Sequence, residues 1–344
     1  MLPISEIWRI SDSVNSKWQS PVADAAAEAW GLPRGSALWL RSSSTHVFIV
    51  PASHLAEGAL FLRFAPARSA QGSKLAPSAE LMAGWSERGL GAVKPLPSLR
   101  GQLTETVPTA HGLMVAMLVP AAVGVEITVE ELTMERAAAW GESLGRLHQE
   151  GCTGLPVPEA RPEEDAAEVD AGQEETAGPG PARSEDPLTH VIRELTDAMG
   201  QQDPAAHSRG MCHGDFELDN LRFGPDGPVF FDTDEAHEGW FAGDVALAVR
   251  DLTGVTPDSA MRPALLDAFL SGYRAIRTFT EEEEQTLPLH SLAASARLVL
   301  SLENVLDAGG RGDEPGWVQD LHSSIKRQQR WHRERLLRAQ IRPA

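Results

Sequence analysis

Residues 211 to 234 read MCHGDFELDNLRFGPDGPVFFDTD, and few architectures can use such a stretch. His213-Gly214-Asp215 is followed by Asn220, and after Gly-Pro-Asp-Gly-Pro an apolar run, Val229-Phe230-Phe231, ends in Asp232. Asp226-Gly227 is turn chemistry, so the stretch is predicted to be a loop, a short hairpin and a second carboxylate. A hairpin folds the chain back, and Asp232 therefore returns towards Asp215 and Asn220. A carboxylate and an amide oxygen are hard ligands of the kind Mg²⁺ takes, with water and phosphate oxygens filling its other positions. The remaining carboxylate is left to orient a hydroxyl.

This constellation resembles the catalytic centre of eukaryotic-like kinases, where an Asp and an Asn share a loop and a metal-binding Asp follows a hairpin. His-Gly-Asp, in place of His-Arg-Asp, is similar to the aminoglycoside phosphotransferase and choline kinase superfamily. Gly239-Trp240-Phe241-Ala242-Gly243-Asp244-Val245-Ala246 fits that family's usual continuation, an Asp opening a helix. Matching motifs run from about residue 40 to about 275. The resemblance implies an α+β, bilobal protein-kinase-like fold. Residues 1–118 would form a small N-terminal antiparallel sheet lobe with one helix, and 119–344 a larger, mainly helical C-terminal lobe carrying the catalytic loop.

The activity implied is ATP- and Mg²⁺-dependent transfer of the γ-phosphoryl to a hydroxyl of a small molecule: an aminoglycoside-like antibiotic, homoserine, choline or a sugar. Asp215 would be the catalytic residue and Asn220 and Asp232 the metal ligands. Ser44 and Arg63 would approach the ATP phosphates, with Lys74 as a competitor for the cation. Glu80 would pair with Arg63. His213 and Asp244 would brace the loop, and Asp234 and Glu235 would either support the metal or face solvent. Two departures from the protein-kinase pattern stand out. Glu217 occupies the place of a Lys, where a carboxylate cannot neutralise the γ-phosphate, and the second motif is Asp-Thr-Asp. Eleven residues separate Asp232 from Asp244, too few for the activation segment on which a protein kinase lays a peptide. A catalytically silent nucleotide-binding protein is the alternative, which the intact Asp215, Asn220 and Asp232 disfavour.

Composition agrees with a large enzyme. The 344 residues are 42% hydrophobic, enough to bury a sizeable core. The formal charge of −19 argues against general nucleic-acid binding and is compatible with a cationic substrate. No apolar run has the length of a membrane helix, the first residues lack a signal-peptide pattern, and Cys152 and Cys212 have no metal spacing. A cytoplasmic protein is the expectation. Residues 156–187, rich in Pro, Gly, Ala and acids without aromatics, are predicted to be a disordered insertion.

Strands are predicted within 37–64 and at 115–119. Helices are predicted over 22–30, over 78–89 with Ser78 as N-cap, and over 129–151, 188–199, 263–276, 287–306 and the basic tail from 317. Gly141-Glu142-Ser143-Leu144-Gly145 has the form of a hydrolase nucleophile elbow but falls mid-helix, where it cannot make the required sharp turn. Thr280 and Glu283 form a capping box.

Overall fold

The computed structural model describes all residues except 53–55, 57, 151–185, 203–207, 258, 307–314 and 342–344. The predicted insertion falls outside the described residues up to 185; Asp186 then caps the helix α5 (Pro187–Gly200).

Five antiparallel strands form the first sheet: β1 (Leu38–Ser42), β2 (His46–Val50), β3 (Leu60–Pro66), β4 (Thr104–Thr109) and β5 (Gly112–Pro120), in the order β1-β2-β3-β5-β4. Strand alternation divides β3 between two faces. Leu60, Leu62 and Phe64 pack with α2 (Pro21–Ala27), whose N-terminus Ser20 caps and whose first residue is Pro21. Phe61 and Ala65 face the other way, against Leu75, Ala79 and Met82 of α3 (Ala70–Glu87). Arg63 lies between them in sequence and shares that second face.

Two parts of this lobe differ from expectation. Helix α3 begins eight residues before Ser78, capped by the Ser69 hydroxyl on the Gly72 N–H at 3.0 Å. Pro77 sits inside it and is exposed, so only the i−4 hydrogen bond to Ser73 is forfeited. And where one helix is expected in 1–118 the described residues form three, the first of which, α1 (Ile4–Asp12), sends Ile4 into a cluster with Leu302, Val305, Val318 and Ile325 of α9 (Leu287–Leu306) and α10 (Gly316–Arg338).

The helical lobe is built on α4 (Met134–Glu150) and α7 (Pro263–Ile276), through Trp140, Leu144 and Leu147 against Phe269, Leu270 and Tyr273. The glycines of the elbow-like motif serve this contact. A Cβ on Gly141 would lie 1.9 Å from the Phe269 carbonyl oxygen, and one on Gly272 would lie 2.0 Å from that of Ala138. Strand β6 (Arg209–Cys212) leads into the loop at 213–220 and pairs with β9 (His237–Trp240). The predicted hairpin is β7 (Leu221–Gly224) with β8 (Gly227–Phe230); Pro225 and Asp226 make its tip, and Gly227 takes φ +115°. Helix α6 (Phe241–Ala248) follows β9. The capping box opens α8 (Glu281–Gln285) as expected. Among the described residues no helix is long and apolar enough to cross a membrane.

The close approach of α4 and α7 gives a test. Gly141→Ala is expected to lower stability by about 2 kcal/mol or more, because backbone must move to admit the methyl group. Gly200→Ala, where an added Cβ meets nothing within 4 Å, should stay within about 0.5 kcal/mol of the parent. Denaturant midpoints of the two variants check this.

Candidate active site

Asp244 enters in the first turn of α6 and is fully buried. Its two oxygens accept the backbone N–H of His213 at 2.7 Å and of Gly214 at 2.8 Å. His148 of α4 approaches the same carboxylate at 3.0 Å, and its other ring nitrogen lies 2.6 Å from the Tyr273 hydroxyl. Burial pushes the His148 pKa down, so the imidazole is neutral, donating Nε2–H to Asp244 and accepting from Tyr273. Burial alone would raise Asp244; the hydrogen bonds from His148 and the loop outweigh it and hold the pKa at about 2. Gly214 takes φ +81° with its Cα facing the Glu235 carbonyl, 2.1 Å from where a Cβ would stand. Only glycine fits there.

The loop so fixed presents Asp215. Asn220, in the 3₁₀ turn Leu218–Asn220, donates from Nδ2 to Asp215 Oδ2 and to the Asp215 carbonyl, both at 2.9 Å. That fixes the amide and leaves Asn220 Oδ1 as its acceptor. The returning hairpin brings the Phe231 N–H to the Asn220 carbonyl at 3.2 Å, which sets Asp232, at φ +64°, beside the pair. Burial raises the Asp215 pKa; Arg250 and then His213 pull it down, and the charge of Asp232 adds to the rise.

Arg63 reaches this cluster from the sheet. Its guanidinium bonds Asp232 Oδ1 at 2.9 Å and Asp234 Oδ2 at 2.6 Å, and it is 6% exposed. Burial would raise Asp232, but Arg63 and Arg41 hold it below the usual carboxylate range. Strand register explains both arginines: Arg41 lies opposite Val47 and Val47 opposite Arg63, so all three share a face, and Arg41 ends 4.0 Å from Asp232 Oδ2.

The expected Arg63–Glu80 pair does not form. Glu80 is exposed on α3, while the positions of α3 that face the 233–235 segment are Lys74 and Ser78. Lys74 bonds Glu235 at 2.8 Å, and the Ser78 hydroxyl meets that of Thr233 at 2.7 Å. Asp234 takes the place expected of Glu80. Ser44 lies in the bend between β1 and β2, where Ser43 accepts the Leu2 N–H at 2.7 Å; no hydrogen bond among the described residues ties Ser44 to the carboxylates. Arg250, which the sequence did not single out, forms an ion pair with Glu217 and stands 3.7 Å from Asp215 Oδ1.

The oxygens of Asn220, Asp232 and Asp234 suit a hard divalent cation. Asp234 Oδ1 is buried without a hydrogen-bond partner among the described residues, an atom that a cation would satisfy.

The model of the phosphotransferase enzyme family matches residues 44–279, more than half of the chain, and the chain belongs to that family. It is similar to a homoserine kinase of Beijerinckia indica subsp. indica, 27% identical over 229 residues, which cover 64% of this chain and 66% of the relative. A homoserine kinase of Neisseria meningitidis serogroup B is 32% identical over 115 residues, 33% of this chain and 36% of the relative. The chain thus spans just under two thirds of the first relative and about a third of the second. Among solved structures, the amicoumacin kinase hAmiN in complex with AMP-PNP, Ca²⁺ and Ami superposes with a TM-score of 0.71 at 16% identity, covering 95% of this chain and 96% of that one. A microcompartment-associated aminopropanol kinase gives 0.60 at 18% identity, with 92% and 96% covered. These likenesses establish the fold as the two-lobed, protein-kinase-like one.

Asp244 is the group whose titration should be visible in stability. Its folded pKa of about 2 lies below the ordinary 3.8, so its contribution is complete above the unfolded value and is lost as pH falls from about 5 towards 2. The amount is about 2 kcal/mol. Thermal melts across that range should show a steeper loss for the parent than for Asp244→Asn, which should be the less stable protein at pH 7.

Proposed function

We propose that this member of the phosphotransferase enzyme family transfers the γ-phosphoryl group of ATP to a hydroxyl of a small molecule. The observation that carries the reading is the Asp215–Asn220 hydrogen bond with Asp232 set beside it by the returning hairpin. A carboxylate free to orient a hydroxyl thus stands next to two hard oxygen ligands. The nucleotide would lie between the sheet lobe, 1–118, and the helical lobe, 119–344.

Asp215 accepts a hydrogen bond from the acceptor hydroxyl through Oδ1, since Asn220 occupies Oδ2, and it receives the proton as the oxygen bonds to phosphorus. Asn220 and Asp232 would hold Mg²⁺, which, when bound, neutralises charge on the nucleotide phosphates. Arg63 would contact phosphate oxygens from the sheet side, held in direction by Asp234. The Asp244 carboxylate keeps the loop peptides turned so that Asp215 faces the cleft. Because the transition state of phosphoryl transfer is loose, positioning and charge neutralisation carry most of the catalysis.

The relatives support a narrower acceptor class. By their names, homoserine kinases act on a hydroxylated amino acid and an aminopropanol kinase on an amino alcohol, so the shared feature is an amine with a hydroxyl, and the acidic body of the chain suits the ammonium group. We propose an amino alcohol as the first class to try, with aminoglycosides next.

ADP release from ATP and Mg²⁺ should therefore appear with one member of a panel of homoserine, aminopropanol, choline, aminoglycosides and sugars. Asp215→Ala should lower kcat by at least about 100-fold. Nucleotide binding with no turnover on any of them would favour a silent binding protein, and failure to bind ATP would sink the reading.

Acid should also inactivate the enzyme at higher pH than an ordinary aspartate predicts. Asp215 acts ionised and its pKa is raised, so the acidic limb of kcat/KM should lie above the usual carboxylate value of about 3.9. A limb at or below that value would contradict the assignment.

A further inference from the structure

The loop from His213 to Asn220 carries Asp215, Glu217 and Asp219 and no lysine or arginine. A group bearing negative charge must nevertheless pass Asp215 if the phosphotransfer reading holds, and the following inference rests on that reading. The position two residues after Asp215 makes the difficulty acute, because Glu217 is itself an anion. Arg63 and Arg41 both lean on Asp232, on the sheet side. Among the described residues, the cation that reaches Asp215 and Glu217 is Arg250, which opens a 3₁₀ turn just after α6.

Arg250 is held in a particular way. One terminal nitrogen, NH2, bonds Glu217 Oε2. The other, NH1, stands 3.7 Å from Asp215 Oδ1, the oxygen that Asn220 leaves open. The side chain is 35% exposed, whereas its partner Glu217 is 13% exposed. A residue present only to neutralise Glu217 needs NH2 alone. Here the second arm also stands beside the Asp215 oxygen that, on the phosphotransfer reading, orients the acceptor hydroxyl. The α6 segment thereby fixes the loop twice, through Asp244 on its backbone and through Arg250 on its side chains.

We propose that Arg250 is a catalytic residue that donates N–H bonds from NH1 to the phosphoryl group in flight. In the step, the acceptor oxygen forms its bond to the γ-phosphorus while the bond from that phosphorus to the β,γ-bridging oxygen breaks. The leaving ADP keeps that electron pair, and the hydroxyl proton passes to Asp215. Arg250 offsets charge on the equatorial oxygens from the acceptor side, as Arg63 does from the nucleotide side. Glu217 holds the guanidinium in place.

The test needs no identified acceptor. Mg-ADP affinity is measured by calorimetry with and without aluminium fluoride, which mimics the phosphoryl group in transfer. The full-length proteins compared are the parent, Arg250→Gln, Arg250→Lys, Glu217→Gln and the double variant Glu217→Gln/Arg250→Gln, with thermal melts to confirm folding. Fluoride should tighten Mg-ADP binding in the parent, and Arg250→Gln should lose about 100-fold of that tightening. Its affinity for Mg-ADP alone should change by less than about threefold, and Arg250→Lys should keep part of the tightening.

The double variant decides between the two roles. If it remains as deficient as Arg250→Gln, the guanidinium acts on the phosphoryl group. If Glu217→Gln restores the tightening, Arg250 merely neutralises Glu217 and the proposal is overturned. Tightening that is missing from a parent that binds Mg-ADP would also overturn it while leaving the nucleotide site intact. A parent that does not bind Mg-ADP would instead overturn the phosphotransferase reading, and this inference with it.

Discussion

The rest of the site depends on one buried anion. A carboxylate removed from water as completely as that of Asp244 is tolerated only when hydrogen bonds compensate for lost hydration. Here the donors are the peptide groups that must be oriented, those of His213 and Gly214, together with His148. His148 is fixed by Tyr273, and these two side chains come from α4 and α7. Gly141 and Gly272 allow those helices to approach until backbone nearly touches backbone. The direction in which Asp215 points is thus set by helix packing in the core of the second lobe. Trp140 secures the loop from the same helix, donating its indole N–H to the Phe216 carbonyl at 3.0 Å.

Arg63 performs the corresponding task between the lobes. Its strand places it on the α3 face of the sheet, and its charge is shared by two carboxylates that follow the hairpin. A helix glutamate is unnecessary in that position because Asp234 fills it from the motif itself. Helix α3 is free to dock on the same segment by other means, the Ser78–Thr233 hydroxyl pair and the partly exposed Lys74–Glu235 bridge. The bridge is worth at most about 1 kcal/mol, since solvent screens it. The buried hydroxyl pair and the Arg63 bonds carry the specificity of the contact.

Local chemistry made much of this readable. The hairpin after Asn220 and the bounds of α7 and α9 follow from turn residues and helical spacing, all short-range signals, whereas Asp244 is implied by the resemblance and stands in the first turn of α6, which opens three residues earlier at Phe241. Pro77-Ser78 imitates a helix start, and it misled because proline on an exposed helix face costs one hydrogen bond that the surrounding packing can absorb. The Arg63–Glu80 pair is what the resemblance implies rather than what the residues dictate, and in the structure the face of α3 that meets 233–235 carries Lys74 and Ser78 while Glu80 is exposed. Arg41 and Arg250 were illegible for a different reason. Arg41 gains meaning only when the register of β1, β2 and β3 is known, and Arg250 reaches residues 33 and 35 positions away in sequence. A lone arginine after an apolar helix carries no periodic or spacing signal for such contacts.

The balance of charge in the cleft has a thermodynamic consequence under the proposed function. Asp215, Glu217, Asp232 and Asp234 face Arg41, Arg63 and Arg250, so the cleft is close to neutral without ligands. A nucleoside triphosphate adds several negative charges to it, and a divalent cation alone must compete with Arg63 for Asp232. Each ligand relieves the other's cost: the cation neutralises the phosphates, and the phosphates offer Arg63 an alternative partner to the carboxylate. Binding of the two is therefore positively coupled, and by linkage the coupling is the same whichever binds first. The arginine that pins Asp232 in the unliganded cleft is then the group that makes the cleft accept metal and nucleotide together.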